Sequence, residues 1–102
     1  MEIKRKEILL ALHSALLGEI YPKIRAIVFK YDYDNRHFTL RYYLESEPDE
    51  DDYENIAVVL TVFISNFKFS DFETLSEECV YSKEPLSKLD ILDGIVYCRK
   101  ED

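Results

Sequence analysis

The chain has 102 residues, two cysteines and an excess of acid, with 21 Asp and Glu against 13 Lys and Arg for a formal net charge of −8. That length accommodates one core and the 47% hydrophobic content is enough to fill it, which excludes wholesale disorder and predicts a single domain over residues 1–102. The charge argues against direct nucleic-acid binding, the absence of an ~18-residue apolar run against a membrane span, and two cysteines against a disulfide-stapled secreted scaffold, so a soluble cytoplasmic protein is expected.

Met1-Glu2-Ile3 does not read as a secretion signal and leads into an amphipathic stretch over residues 4–17. There Ile8, Leu9, Leu12, Ala15 and Leu16 recur at the three-and-four spacing of one helical stripe. Gly18 is placed to end that helix and Pro22 to prevent its resumption. Residues 24–33 are β-branched and aromatic, with Ile27, Phe29, Tyr31 and Tyr33 on one face. After Asp34-Asn35-Arg36, residues 37–45 alternate again: Phe38, Leu40, Tyr42 and Leu44 point one way, His37, Thr39, Arg41, Tyr43 and Glu45 the other. Two such runs around a polar three-residue break predict an antiparallel hairpin.

A second helix follows Pro48, with its core stripe at Tyr53, Ile56, Ala57, Leu60, Phe63, Ile64 and Phe67 despite β-branched residues between them. Phe69 and Phe72 are expected to lid the core. Residues 78–82 and 95–100 read as strands, with Glu84-Pro85 and Asp93-Gly94 marking turns, the latter a favoured two-residue hairpin turn. The order α-β-β-α-β-β predicts a two-layer α+β fold, an antiparallel four-stranded sheet covered on one face by two helices. Six of the eight tyrosines fall on that sheet (Tyr31, Tyr33, Tyr42, Tyr43, Tyr81 and Tyr97), and those facing away from the helices would suit a protein contact.

The charge is not spread evenly. Residues 45–54 read ESEPDEDDYE, seven acids and no base: Glu45, Glu47, Asp49, Glu50, Asp51, Asp52 and Glu54. The other 92 residues carry a net charge of only −1. Acids at a helix N-terminus satisfy the first amides and complement the macrodipole, which accounts for two or three of them. The surplus is either a docking surface for a basic partner or a solvated loop.

Sites of chemistry are harder to find. Two glycines cannot build a phosphate-binding loop, and His13, His37, Cys79 and Cys98 lack the paired spacing of a zinc site. The acidic block fails as a calcium loop, because position six counted from Asp49 is Glu54 where glycine is needed. Cys79 and Cys98 could be neighbours on adjacent strands, with free apolar thiols favoured over a redox role. Two enzymatic arrangements are left open, a cysteine nucleophile working with His37 and a pair of carboxylates that meet in space, and neither has a supporting motif. The expectation is a protein without catalytic activity, metal or cofactor.

Three segments, GEIYPKIRAIVFKYD (18–32), FTLRYYLESEPDEDDYENIAVVLTVF (38–63) and YSKEPLSKLDILDGIVYCRKE (81–101), resemble in pattern the small immunity proteins of bacterial contact-dependent growth inhibition and related polymorphic toxin systems. The resemblance implies a cytoplasmic antidote that binds the C-terminal toxin domain of a cognate exoprotein and occludes its active or substrate-binding surface. Such toxins are often nucleases, whose clefts are basic because they grip phosphate, and a dense anionic segment would plug one. The candidate partner-binding residues are Glu45, Glu47, Asp49, Glu50, Asp51 and Asp52, with Tyr43 and Tyr53 as aromatic anchors. The alternative is an acidic adaptor, or a nucleic-acid-mimicking regulator of a basic host protein.

Overall fold

The computed structural model describes residues 4–101, and the side chain of Phe69 lies outside the described set. Helix α1 (Arg5–Leu16) buries Ile8, Ala11, Leu12, Ala15 and Leu16. Just beyond it Gly18 takes a φ of +77°, a left-handed conformation in which a Cβ would be strained. Strands β1 (Ile24–Asp32) and β2 (His37–Leu44) form the expected antiparallel hairpin, paired from Ile24↔Leu44 to Asp32↔His37. The Asp32 carboxylate closes the turn by accepting from the backbone N–H groups of Asp34 and Asn35 at 3.0 and 3.2 Å.

Helix α2 (Glu50–Ile64) is followed by a single 3-10 turn at Phe69–Asp71 and strand β3 (Thr74–Tyr81). A second 3-10 turn at Leu86–Lys88 precedes strand β4 (Gly94–Cys98). These two turns interrupt the expected order of elements. The sheet runs β3-β2-β1-β4, with β1 antiparallel to β2 and β4 but β2 parallel to β3. The sheet is therefore mixed, and the fully antiparallel arrangement expected from sequence is corrected. The segment from β2 to β3 carries α2, and a helical crossover of this kind returns the chain in its original direction. The expected β3–β4 hairpin is absent as well, because β4 passes to the other edge of the sheet. There the Asp93 N–H donates to the Phe29 carbonyl at 2.9 Å, and the Asp93 carboxylate accepts from the Tyr31 N–H at 2.8 Å. Asp93-Gly94 thus docks β4 onto β1 rather than turning a hairpin.

Both helices pack on one face of the sheet, over Ile27, Phe29, Tyr31, Phe38, Leu40, Tyr42 and Cys79. Phe63 of α2 lies at the centre of this core, fully buried and stacked on Phe38 at 4.5 Å between ring centroids. Phe72 closes it against Tyr31, Phe38 and Phe63 at 5.5–5.8 Å. On the opposite face Ala26, Val28 and Tyr43 form a smaller core beneath Leu86, Leu89 and Leu92 of the β3–β4 connection. β1 is consequently buried on both sides along most of its length, which explains why Ala26, Ile27, Val28 and Phe29 are apolar in succession.

The expected tyrosine-rich outer face does not exist. Tyr31 and Tyr42 are in the helix-side core, Tyr97 packs against that core, and Tyr43 is sealed under the connection. Tyr33 is exposed, beyond the end of β1. No described helix is long and apolar enough to cross a membrane.

Candidate functional site

The acidic segment leaves the end of β2, passes Pro48 and enters α2. Its first helical turn is built by reciprocal hydrogen bonds: the Asp49 carboxylate accepts from the Asp52 N–H at 3.1 Å, and the Asp52 carboxylate from the Asp49 N–H at 2.9 Å. This is a capping box made of two aspartates, and it satisfies amide groups that a helix start leaves without partners.

Asp52 is 2% exposed, the deepest charge among the described residues. It accepts a hydrogen bond from the Tyr21 hydroxyl at 2.5 Å and another from the Lys23 ammonium at 2.5 Å. Burial alone would push its carboxyl up, but the donors from Lys23 and Tyr21 outweigh that and hold it below the usual carboxylate range. The same bond, the larger influence, raises Lys23. Burial and the Asp52 hydrogen bond push the Tyr21 hydroxyl up, so it stays protonated and donating. Lys23 also donates to the Glu47 carbonyl at 2.9 Å and lies 3.6 Å from the Asp49 carboxylate. One turn further on, Asn55 accepts from the Tyr42 hydroxyl at 2.7 Å and donates to the Glu19 carbonyl and carboxylate at 3.1 Å. The start of α2 is thus tied to the α1–β1 loop and to the sheet.

These bonds divide the eight candidate residues. Asp52 is inside, committed to Lys23, Tyr21 and Asp49, and has no exposed surface to present. Tyr43 is likewise inside at 4% exposure, its hydroxyl donating to the Asp90 carbonyl at 2.7 Å and accepting from Arg41 at 2.9 Å. Neither offers the accessible contact expected of it from sequence: Asp52 falls at the helix position that reaches back to the cap, and Tyr43 on the sheet face that the connection covers. Glu45 is exposed but pairs with Arg99. Asp49 is exposed and occupied as the cap. Glu47, Glu50 and Asp51, together with the neighbouring Glu54, are exposed, and no basic side chain pairs with them among the described residues. Tyr53 is 48% exposed, so its expected place in the core stripe is not realised; Asp52 and Val59 turn inward instead.

Sequence reasoning found nothing in the C-terminal tail, yet the structure ties it down. Arg25, almost wholly buried, makes a two-pronged contact with Glu101 at 2.8 and 2.9 Å and donates to the Ser82 carbonyl at 2.8 Å. Arg99 donates to Glu101 at 3.0 Å, to the Pro22 carbonyl at 2.7 Å and to Glu45. The hydrogen bonds from Arg25 first, and from Arg99 next, bring the Glu101 carboxyl down to about 2. An Arg at the strand position next to Ala26 was the available signal, since a guanidinium inside a β-run demands a partner.

The residues considered for nucleophilic chemistry are kept apart. Cys79 is buried on the helix side of β3, and burial pushes its thiol up to about 12. His37 pairs with Thr74, and its imidazole sits between the Thr74 hydroxyl at 2.5 Å and the Ser76 hydroxyl at 2.9 Å. Thr74 and Ser76 alternate with Leu75 and Cys79, so this triad is on the other face from Cys79. Cys98 is on β4, at the far edge from β3, so the two cysteines are not neighbours on adjacent strands as considered from sequence. Among the described residues no group of three or more His, Cys, Asp or Glu side chains is arranged to hold a metal ion.

Comparison with known proteins gives one finding: the family model of the MafI2 immunity protein matches residues 5–101. No curated protein matches the chain. The match covers almost the whole sequence and points to a Maf-type system, not specifically to contact-dependent growth inhibition.

Proposed function

The chain belongs to the MafI2 immunity protein family, whose part is to neutralise a cognate toxin protein, and we propose that it does so by inserting the exposed acids around the start of α2 into a basic substrate cleft of that toxin. The carrying observation is the division of the acidic segment. Asp49 and Asp52 are consumed in fixing the helix start, and Glu47, Glu50, Asp51 and Glu54 project from it with no described basic partner. A rigid mount costs a partner little ordering on association, and a cluster of like charges steers an oppositely charged surface toward it. A cleft that grips phosphate supplies that opposite charge, which makes a nuclease the fitting toxin. In this reading the protein is cytoplasmic and binds the C-terminal toxin domain. It works by occlusion, without catalysis or cofactor.

Co-expression with the toxin gene, scored as growth, tests this. The variant carries Glu47→Lys, Glu50→Lys, Asp51→Lys and Glu54→Lys and leaves Asp49 and Asp52 intact. It keeps its circular dichroism spectrum, loses protection, and associates at least about tenfold more slowly with a flatter dependence on salt. Full protection by this variant would remove the acidic surface from the mechanism.

A further inference from the structure

The two edges of the sheet are treated differently. β4 is five residues long, begins at a glycine and pairs with β1 through a register shift between Ile27 and Val28. β3 is eight residues long, contains neither Pro nor Lys, and pairs with β2 without a shift from His37↔Thr74 to Leu44↔Tyr81. Proteins blunt an exposed edge by shortness, bulges, Lys or Pro. β4 is blunted by shortness and a register shift, whereas β3 keeps its full length and register and is guarded only by the charges of Glu77 and Glu78. The connection that follows β3 folds onto the back face of the sheet, and among the described residues no other segment hydrogen-bonds to the backbone of 75–81 apart from β2.

Beside this edge, on the helix side, is a groove of about 600 Å³ lined by Ile64, Phe67, Phe72 and Leu75, with one charge of each sign, Lys68 and Glu73, also in its wall. It continues into a smaller one of about 210 Å³ between Ala57, Thr61 and Glu77. Tyr53, Ala57, Thr61 and Ile64 follow one another at helical spacing, so the groove points along α2 toward the exposed Tyr53 and the acidic helix start.

The charge of the edge selects its occupant. Glu77 has no basic partner among the described residues. Glu78, on the back face, is already paired with Arg41 at 2.6 Å, which leaves Glu77 in the middle of β3 as the free charge. A second copy pairing antiparallel about a two-fold axis at that residue would set Glu77 opposite its own copy, which is destabilising. A strand carrying Lys or Arg meets the opposite situation. Resting on the toxin-binding function proposed above, we infer that β3 accepts an extended, basic segment of the toxin as a fifth strand, with alternate side chains of that segment entering the α2–β3 groove.

The test is hydrogen exchange and calorimetry on the full chain with its cognate toxin domain. Binding slows exchange of alternate amides in 75–81, and the double variant Thr61→Arg/Leu75→Lys, both exposed positions, binds at least about tenfold more weakly while melting like the parent. A complex that forms without added protection in 75–81, and that the double variant forms equally well, overturns the strand-addition inference and leaves toxin binding standing. Protection of 75–81 in the free protein that rises with its own concentration overturns it in favour of a second copy. Failure of the parent to bind the toxin domain removes the proposed function and this inference together.

Discussion

Replacing Asp52 by alanine removes one acceptor from three donors at once: the Tyr21 hydroxyl, the Lys23 ammonium and the Asp49 N–H. Breaking a wholly buried ion pair costs about 3–5 kcal/mol, because the remaining charge keeps its desolvation without its partner. Here Asp52 is 2% exposed but the Lys23 side chain is 20% exposed and can turn toward water, which lowers the figure to about 2–4 kcal/mol. At roughly 5 °C per kcal/mol for a domain of this length, the melting temperature falls by about 10–20 °C. Urea unfolding followed by far-UV circular dichroism measures the difference directly, with the exposed neighbour Asp51→Ala as control, expected within about 0.5 kcal/mol of the parent. The effect also depends on pH. The folded carboxyl is held below its unfolded value of about 3.9, so its contribution is complete above that pH and is lost as the pH falls through the folded value. The parent and Asp52→Ala therefore converge in acid. If Asp52→Ala unfolds with Asp51→Ala at neutral pH, the buried network does not hold the start of α2, and the rigid mount of the acidic surface goes with it.

Gly18→Ala is expected to cost about 1 kcal/mol in urea unfolding, from backbone conformation alone, since φ is +77° and nothing lies within 4 Å of the added Cβ; Gly18→Asn costs less. Alkylation with iodoacetamide at pH 8, read by mass spectrometry, modifies exposed Cys98 in the folded protein and reaches Cys79 only in denaturant, because Cys79 is buried and its thiol is pushed up to about 12. Equal labelling rates at the two would contradict the placement of β3. Glu101→Gln destabilises at pH 7, and because the folded carboxyl titrates near 2 against about 4.3 unfolded, its acid-unfolding curve meets that of the parent as the pH falls from 4 toward 2. A gap that persists below pH 2 would show that the charge of Glu101 is not what Arg25 requires.

Local pattern was sufficient wherever the contacts are local. The stripe Ile8, Leu12, Ala15 and Leu16, the stop at Gly18, the alternation along β1 and β2 and their polar turn were all legible, since helix, cap and hairpin are closed by residues a few positions apart. The acidic run was visible as composition, and an α2 start with acids as caps followed from it. What the run did in three dimensions was not legible. Asp51 and Asp52 look alike in sequence; one faces water and the other is enclosed, a difference made by Tyr21 and Lys23 arriving from about thirty residues away. Tyr42 and Tyr43 are equally apolar neighbours, and only the β3–β4 connection folding beneath the sheet turns Tyr43 into core.

The sequence by itself determined the helices, the central hairpin and the sign and location of the excess charge. Tertiary structure alone decided that β3 lies parallel to β2, that β4 crosses to the opposite edge, and which acids are left to meet a partner. The reason is that periodicity sets which face of an element is apolar, whereas the edge it joins and the charge it meets are settled by packing and hydrogen bonds between segments far apart in the chain.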